Sequence, residues 1–398
     1  MSKLKNGKET RSGEDPMRHE NTIGASDLAS ILQASNAESS RASHRATGGV
    51  VTVLVPAHNE AEAIIETLES LGQQTRRPDR VIVIADNCTD NTEQLALAQG
   101  AEVICTVGNT DKKAGALNFA LGQLLEGADP DDLILVQDAD SQLAPDFIEN
   151  AVSHLGSDDK LGAVGGVFRG GPGGGFVGHL QRNEYSRYAR DVKRLNGKCL
   201  VVTGTAALFR VRTLRGVSLA RTQGSLPAGN GRGGVYDTSV LTEDNELSFA
   251  LLTLGFNILS PADCTLVTEV MPTWRELWAQ RLRWKRGAVE NCVQYGWTKV
   301  TRPYWGRQLL SMVGVLVTVA YLASIGYAVG SGAGLHLHAF WMAVTGVFVL
   351  ERIVTVRLRG WKYMLLAATM YETVIDLFLQ AVHAKAYMDA MFNKKKVW

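Results

Sequence analysis

An acidic pair follows one of the most apolar short runs in the chain. Asp138-Ala139-Asp140 comes directly after Leu133–Gln137, which predicts a buried strand. Two carboxylates separated by one residue then project from the strand end on the same side. Such oxygen ligands suit Mg²⁺ or Mn²⁺ beside the diphosphate of a nucleotide. A helix N-cap at Asp140 is the alternative, because residues 145–152 have a helical pattern.

A second acidic motif, Thr242-Glu243-Asp244, follows a glycine-rich loop and opens a predicted helix over residues 245–253. A carboxylate at this position could act as a general base, accepting the proton of an acceptor hydroxyl so that the oxygen becomes a nucleophile. A capping box built from Thr242 and Asn245 is the alternative interpretation.

Residues 280–284 read QRLRW, which places Gln280, Arg283 and Trp284 on one face of a helix. Arg283 supplies a planar cation for phosphate, and Trp284 supplies an indole that can stack on a sugar or a base. The alternative is a membrane-interface belt, since aromatic and basic residues interleave from Trp274 onward.

Two further positions suit a nucleotide. Asp86 ends a predicted strand at residues 80–85, where acidic groups of doubly wound sheets meet a ribose or base, although simple turn capping is equally compatible. Lys112 and Lys113 precede a predicted helix, so that a cation and a helix N-terminus coincide, as phosphate binding requires. Solvated surface lysines are the alternative.

The elements that must position these residues alternate between strand and helix. Apolar, β-branched runs at residues 50–55, 80–85, 102–105 and 133–137 predict strands, and helical patterns separate them. This order predicts an α/β domain with a mostly parallel, doubly wound sheet, whose ligands bind at the carboxyl ends of the strands. The five cysteines are widely spaced and indicate neither a disulfide framework nor a zinc site.

The charge balance divides the chain. The 41 basic and 40 acidic residues give a net charge of +1, but residues 50–270 carry −10 and residues 271–398 carry +10. Residues 308–350 contain no Asp, Glu, Lys or Arg, which predicts membrane spans at about 309–329 and 335–356. The basic flanks place the catalytic domain on the cytoplasmic side, because basic loops favour that side. Glu351 and Arg352 are expected to pair with each other.

Four segments follow from this division. Residues 1–49 are a polar arm predicted to be disordered. Residues 50–272 form the catalytic domain, residues 273–307 interface helices, and residues 308–398 a membrane region. Within that region, residues 363–387 form an apolar helix with one polar stripe, interpreted as an interfacial or hairpin-like helix, with a third span as the alternative. The stripe consists of Thr369, Glu372, Asp376, Gln380 and His383.

The motifs together resemble those of the family 2 glycosyltransferases, in order and in spacing. The motifs are PAHNE at 56–60, the Asp86 turn, KAGALN at 113–118, DAD at 138–140, GT at 204–205, TED at 242–244 and QRLRW at 280–284. The resemblance is closest to membrane-bound synthases of cellulose, chitin, hyaluronan and poly-N-acetylglucosamine, over residues 50–310. It is loose in the membrane part and absent from the arm.

This resemblance implies a GT-A fold, an inverting mechanism, a UDP-sugar donor such as UDP-N-acetylglucosamine or UDP-glucose, and Mg²⁺ or Mn²⁺. It assigns Asp244 as the base with Glu243 beside it, and Asp140 as the metal ligand. Donor contacts fall on Pro56, Glu60, Asp86, Lys113 and Asp138. Acceptor contacts fall on Gly204, Thr205 and Trp284, and diphosphate contacts on Gln280 and Arg283.

The sequence therefore predicts a polysaccharide synthase, multi-pass in the cell (inner) membrane, with a carbohydrate or lipid-linked acceptor. A homo-oligomer is compatible with this prediction, and no nucleic acid partner is expected. The alternative is a non-processive transferase that adds one sugar to a lipid or protein. One departure from the polymer-exporting relatives is that no membrane helix is predicted before residue 308, which leaves a self-contained export channel in doubt.

Overall fold

The computed structural model describes residues 49–332, 339–392 and 394, so the predicted arm at 1–49 lies almost wholly outside the described residues. Its centre is a seven-stranded sheet with the order β3-β2-β1-β4-β8-β6-β9. The strands are β1 Val51–Ala57, β2 Arg80–Asp86, β3 Glu102–Thr106, β4 Leu133–Gln137, β6 Leu161–Gly165, β8 Ala206–Arg210 and β9 Asn257–Leu259.

The sheet is mostly parallel, as predicted. Strands β3, β2, β1 and β4 run in one direction, and β8 is antiparallel to both of its neighbours, β4 and β6. Since β1, β2 and β4 are parallel, their carboxyl ends meet at one edge of the sheet. This is the edge from which Asp86 and the 138–140 motif project.

Helices cover both faces of the sheet, which explains why the strands are apolar at consecutive positions. Leu54 belongs to the core on one face together with Phe209, whereas Val53 belongs to the core on the other face together with Phe147. The helices are α1 Ile64–Gly72, α2 Thr92–Ala98, α3 Lys112–Leu124, α4 Phe147–Ser157, α5 Gly175–Arg194, α6 Val211–Thr222, α7 Glu243–Thr253 and α8 Trp274–Tyr295. The α/β fold class is thus confirmed.

A second, three-stranded sheet lies beside the first and was not predicted. It contains β5 Ser141–Leu143, β7 Val167–Gly170 and β10 Thr265–Thr268, in the order β5-β10-β7. Because β5 begins directly after Asp140, this residue does not cap a helix. The alternative N-cap interpretation of Asp140 is wrong, since the N-cap of α4 is Asp146.

The C-terminal part is helical: α9 Arg302–Gly330, α10 Ala339–Thr355, a short 3₁₀ turn, α11 Trp361–Ala368 and α12 Thr373–Met391. Among the described residues, α9 alone is long and apolar enough to cross a membrane, and 6% of its apolar stretch is buried. The predicted span at 335–356 corresponds to α10, and residues 333–338 before it are not described. The helix predicted over 363–387 is instead α11 and α12, bent by 66° and together able to form one further span.

Ion pairs join the catalytic domain to these helices. Arg187 of α5 pairs with Glu372, which also accepts a hydrogen bond from Arg352 at 2.6 Å. Arg190 of α5 pairs with Glu351 at 2.5 Å. The predicted pairing of Glu351 with Arg352 is therefore wrong, because each finds a partner on another helix. The polar stripe faces protein at Glu372, which is 1% exposed.

Candidate active site

One cavity of about 890 Å³ connects the carboxyl edge of the sheet with α8. Residues of the DAD, TED and QRLRW motifs all line this cavity, although more than 100 positions separate DAD from QRLRW in the sequence. Of the thirteen predicted site residues, ten line it: Lys113, Asp138, Asp140, Gly204, Thr205, Glu243, Asp244, Gln280, Arg283 and Trp284. The fold therefore brings together most of the residues that the motifs predicted.

Asp244 lies in the first turn of α7 with both carboxylate oxygens oriented by backbone donors. Gly204 N–H donates to Oδ2 at 2.9 Å, and Asn245 N–H donates to Oδ1 at 2.7 Å. A Cβ at Gly204 would lie 3.2 Å from Oδ2, so glycine permits this close approach. Burial, followed by the charge of Glu243, raises the pKa of Asp244 to about 6. This carboxylate is therefore a stronger base than an ordinary aspartate.

The Thr242 turn is fixed by α8 rather than by a capping box. The Thr242 side chain makes no cap hydrogen bond to α7. Its Oγ1 accepts from Asn291 Nδ2 at 3.2 Å, and its carbonyl accepts from the same nitrogen at 3.1 Å. A Cβ at Gly287 would lie 2.4 Å from Thr242 Oγ1, so α8 packs in direct contact with Thr242 at this glycine. The capping-box alternative is therefore wrong.

Lys113 lies among acids at the floor of the cavity. Its ammonium pairs with Asp138, donates to the Gly204 carbonyl at 3.0 Å, and lies 3.7 Å from Glu243 Oε1. Burial disfavours the charged lysine, but Asp138 and Glu243 outweigh it and raise its pKa. The alternative of a solvated surface lysine is wrong for Lys113. Its cation links α3, β4 and α7 across the predicted site.

Acidic charge accumulates around Asp140. Ser141 Oγ donates to Asp140 Oδ1 at 3.0 Å, and burial raises the pKa of Asp140. Burial and the charges of Asp140 and Glu269 raise the pKa of Glu60 to about 7. Glu269 follows β10 and lines the cavity. This excess of carboxylates fits a divalent cation, because a cation would relieve their mutual repulsion.

Among the described residues, the carboxylates that line the cavity form no group of three whose oxygens all lie within ligand distance of one another. In the described part of the chain, the tight three-ligand group is His154, Asp263 and Cys264, which does not line the cavity. There His154 Nε2 lies 3.0 Å from Asp263 Oδ1, as an ion pair would place it. Mg²⁺ commonly takes one or two protein carboxylates together with substrate phosphates. Asp140 lines an open cavity and could therefore be one of these carboxylates, with substrate phosphates as the other ligands.

The three remaining predicted residues lie at the neighbouring strand ends and not in the lining of the cavity. Pro56 belongs to β1, and Glu60 follows it. Asp86 Oδ1 accepts from Thr106 Oγ1 at 2.5 Å and from Asn109 Nδ2 at 2.9 Å. The α2 helix begins after Asn91, so Asp86 does not cap it. Asp86 is instead fixed by β3 and the loop before α3.

The family is decided by comparison with known sequences. Residues 52–217 match the model described as Glycosyl transferase family 2. This chain contains a family 2 glycosyltransferase domain. The matched residues cover β1 to α6 and include the Asp86 turn, Lys113, the DAD motif and Gly204-Thr205. The resemblance inferred from the motifs is thus confirmed.

Two curated relatives support this assignment. The probable glycosyltransferase YdaM of Bacillus subtilis (strain 168) is 30% identical over 247 residues, which is 60% of this chain and 54% of that protein. The poly-beta-1,6-N-acetyl-D-glucosamine synthase of Staphylococcus aureus (strain COL) is 26% identical over 284 residues, 68% of this chain and 64% of that protein. The chain therefore spans between half and two thirds of the length of both relatives.

A solved structure supports the fold. The mannosyltransferase PcManGT from Pyrobaculum calidifontis, in complex with GDP-Man and Mn²⁺, is 20% identical and superposes with a TM-score of 0.57. The match covers 92% of this chain and 99% of that one. The glycosyltransferase domain thus has the GT-A fold, with its helices following as predicted.

Sequence reasoning missed several residues that line the cavity. Glu269 follows a four-residue strand that is too short to show a period. Phe168 and Tyr185 lie in the region where the strand and helix alternation loosens. An acidic residue directly after a strand was a usable signal for Glu269, because the same rule identified Asp138. Phe168 and Tyr185 had no comparable signal.

Proposed function

We propose that this chain is an inverting, metal-dependent glycosyltransferase that moves a sugar from a UDP-linked donor to a hydroxyl of a growing polysaccharide. One observation carries the proposal: Asp140, Asp244, Arg283 and Trp284 line a single cavity large enough for a nucleotide sugar and part of an acceptor. The S. aureus relative, named as a poly-N-acetylglucosamine synthase, supports UDP-N-acetylglucosamine as the first donor to test.

In this mechanism Asp244 accepts the proton of the acceptor hydroxyl, and the oxygen attacks the anomeric carbon from the face opposite UDP. The Gly204 and Asn245 N–H groups keep the carboxylate oriented for that transfer. The guanidinium of Arg283 stabilises the departing diphosphate. Inversion follows because the acceptor attacks from one side and the leaving group departs from the other.

Asp140 is the residue that we assign to the metal, with Asp138 contacting the donor. When bound, Mg²⁺ or Mn²⁺ offsets the charge that the diphosphate gains as it leaves. Lys113 neutralises Asp138 and lies beside Glu243, so its cation keeps these acids together when no donor is present. We propose that the same ammonium contacts the donor diphosphate when the donor is bound.

The purified full chain is expected to release UDP from UDP-N-acetylglucosamine or UDP-glucose, and to stop when EDTA removes the metal. Adding Mg²⁺ or Mn²⁺ should restore the rate. GDP-mannose serves as the control donor. The size of the product separates repeated from single addition. A ladder of sugars supports a polymerase, and one added sugar supports the single-addition alternative. UDP release that does not depend on a metal would contradict the proposal. So would GDP release from GDP-mannose with no UDP release from either UDP-sugar.

The pH dependence follows from Asp244. Because its pKa is raised to about 6, the carboxylate becomes protonated as the pH falls through that value and no longer accepts a proton. We expect kcat/KM, which reports groups of the free enzyme, to fall about tenfold per unit below pH 6, with no loss from pH 7 to 8. A rate that stays level down to pH 4.5 would contradict the role of Asp244.

We place this enzyme in the cell (inner) membrane, multi-pass, with the glycosyltransferase domain on the cytoplasmic side. The outward-facing apolar surface of α9 supports a span, and the bent pair α11 and α12 supports a second. Leu309, Leu316 and Leu322 of α9 are each at least half exposed, which water would disfavour and lipid would not.

A further inference from the structure

Arg281 is the second residue of the QRLRW motif, and it lies in the stretch from Trp274 onward whose interleaved aromatic and basic residues are also typical of a membrane-interface belt. In the structure its side chain is 6% exposed, so it does not lie at a headgroup surface. A buried guanidinium is costly unless it is paired and hydrogen-bonded. The contacts of Arg281 therefore indicate why an arginine occupies this position.

Arg281 links α8 to α5 through one acid and two aromatic rings. Its Nη2 donates to Glu184 Oε2 at 3.0 Å. The guanidinium carbon lies 4.3 Å from the centroid of the Trp284 ring and 5.5 Å from that of Tyr185. Both are cation–π distances. One cation thus fixes an indole on its own helix and a phenol on another.

The two rings line the same cavity as the base. Tyr185, Trp284 and Asp244 all contribute to its lining, and so does Phe168, whose ring meets Tyr185 edge-on at 4.7 Å. Aromatic faces pack well against the apolar CH face of a pyranose, whereas they offer little to a phosphate. The aromatic part of the cavity therefore suits a sugar ring more than the donor diphosphate.

The positive charge of Arg281 is already compensated by neighbouring protein groups. Glu184 pairs with it, and the two rings cover its faces, so Arg281 presents no bare cation that would attract a phosphate. This distinguishes it from the predicted diphosphate-binding role of Arg283, two positions away. Arg281 supports the rings rather than contacting the donor.

We infer that Arg281, anchored by Glu184, is a positioning residue that holds Trp284 and Tyr185 as two sides of an acceptor subsite for a pyranose ring. The inference rests on the proposed function and deepens it, because it favours a carbohydrate acceptor over a lipid or a protein. Loss of the anchor is expected to weaken acceptor binding without affecting the donor.

The test uses the full chain in detergent, with UDP release from UDP-N-acetylglucosamine as the readout. The acceptors are the oligosaccharides of β-1,6-linked N-acetylglucosamine and of β-1,4-linked glucose. Arg281→Lys keeps the charge but loses the planar fork, and Glu184→Gln loses the anchor. Each should raise the acceptor KM about tenfold, leaving the donor KM and UDP release without acceptor within about twofold of the wild type.

Tyr185→Phe keeps the aromatic face and removes only the hydroxyl, which accepts from Arg281 Nη2 at 3.5 Å, so it should change the acceptor KM less than Glu184→Gln does. Arg275→Lys, on an exposed turn of the same helix, should change nothing. The inference would be overturned if the variants raised the donor KM and not the acceptor KM, or if the acceptor KM stayed unchanged. It would also be overturned if no oligosaccharide stimulated the wild type. If the wild type releases no UDP from any donor, the proposed function fails instead.

Discussion

Asp244→Asn is expected to lower kcat by about 10³-fold while leaving the affinity for UDP within a few-fold of the wild type. The amide has nearly the same shape as the carboxylate but cannot accept a proton from an acceptor hydroxyl. One of its two ends also presents an NH₂ where Gly204 or Asn245 now donates a hydrogen bond. The loss therefore combines missing base strength with a misoriented side chain.

The measurement is steady-state sugar transfer at saturating donor and acceptor, which gives kcat, together with UDP binding by calorimetry. Asp263→Asn is the matched control, because Asp263 is exposed and lies outside the cavity. It should retain wild-type kcat. Turnover of Asp244→Asn within tenfold of the wild type would show that another group removes the proton, and the assignment of the base would fall.

Glu246→Gln is expected to lower the free energy of unfolding by about 3 kcal/mol. Glu246 lies on α7 two residues after the proposed base, and Arg221 pairs with it at 2.5 Å. Both side chains are fully buried, and Tyr295 Oη donates to the other carboxylate oxygen. Replacing the acid leaves the Arg221 cation buried without its counter-charge, which costs far more than losing a surface pair.

Thermal and urea unfolding in one detergent would measure this cost. Glu102→Gln removes the partner of Arg80 in an exposed ion pair and should cost less than about 1 kcal/mol. The double variant Arg221→Met with Glu246→Leu removes both charges and should be more stable than Glu246→Gln alone. Equal effects of Glu246→Gln and Glu102→Gln would mean that the buried pair is not a fixed support of α7.

The central sheet was predictable because the burial of each strand shows in the apolar pattern of its own residues. A strand buried on both faces needs a mostly apolar run, and β1, β2 and β4 each have one. Parallel strands place ligands at their carboxyl ends, and this rule is enough to assign Asp138 and Asp140 to the ligand-binding edge. The small sheet was missed because β5 and β10 have only three and four residues.

The motifs predicted correctly that residues such as Asp244 and Arg283 come together, because both line the cavity. The site was not predictable where chemistry depends on distant packing. Arg281 reads as interface composition in the sequence, and only the approach of α5 with Glu184 and Tyr185 reveals its contacts. Glu351 and Arg352 show the same limit, because adjacent opposite charges suggested a local pair and helix packing gave each another partner.

The pairing of α5 with the C-terminal helices has a consequence for evolution and for protein engineering. Arg187 and Arg190 find their carboxylates at Glu372 and Glu351, on a part of the chain that follows the last catalytic motif. The same contact covers Leu180 and Leu277 with Ile375. A shortened chain ending at Tyr295 would lose the carboxylates that pair with Arg187 and Arg190 across this contact, and would expose an apolar patch at the same place. The catalytic domain is therefore not a portable module, and any new anchor grafted onto it must supply matching acids.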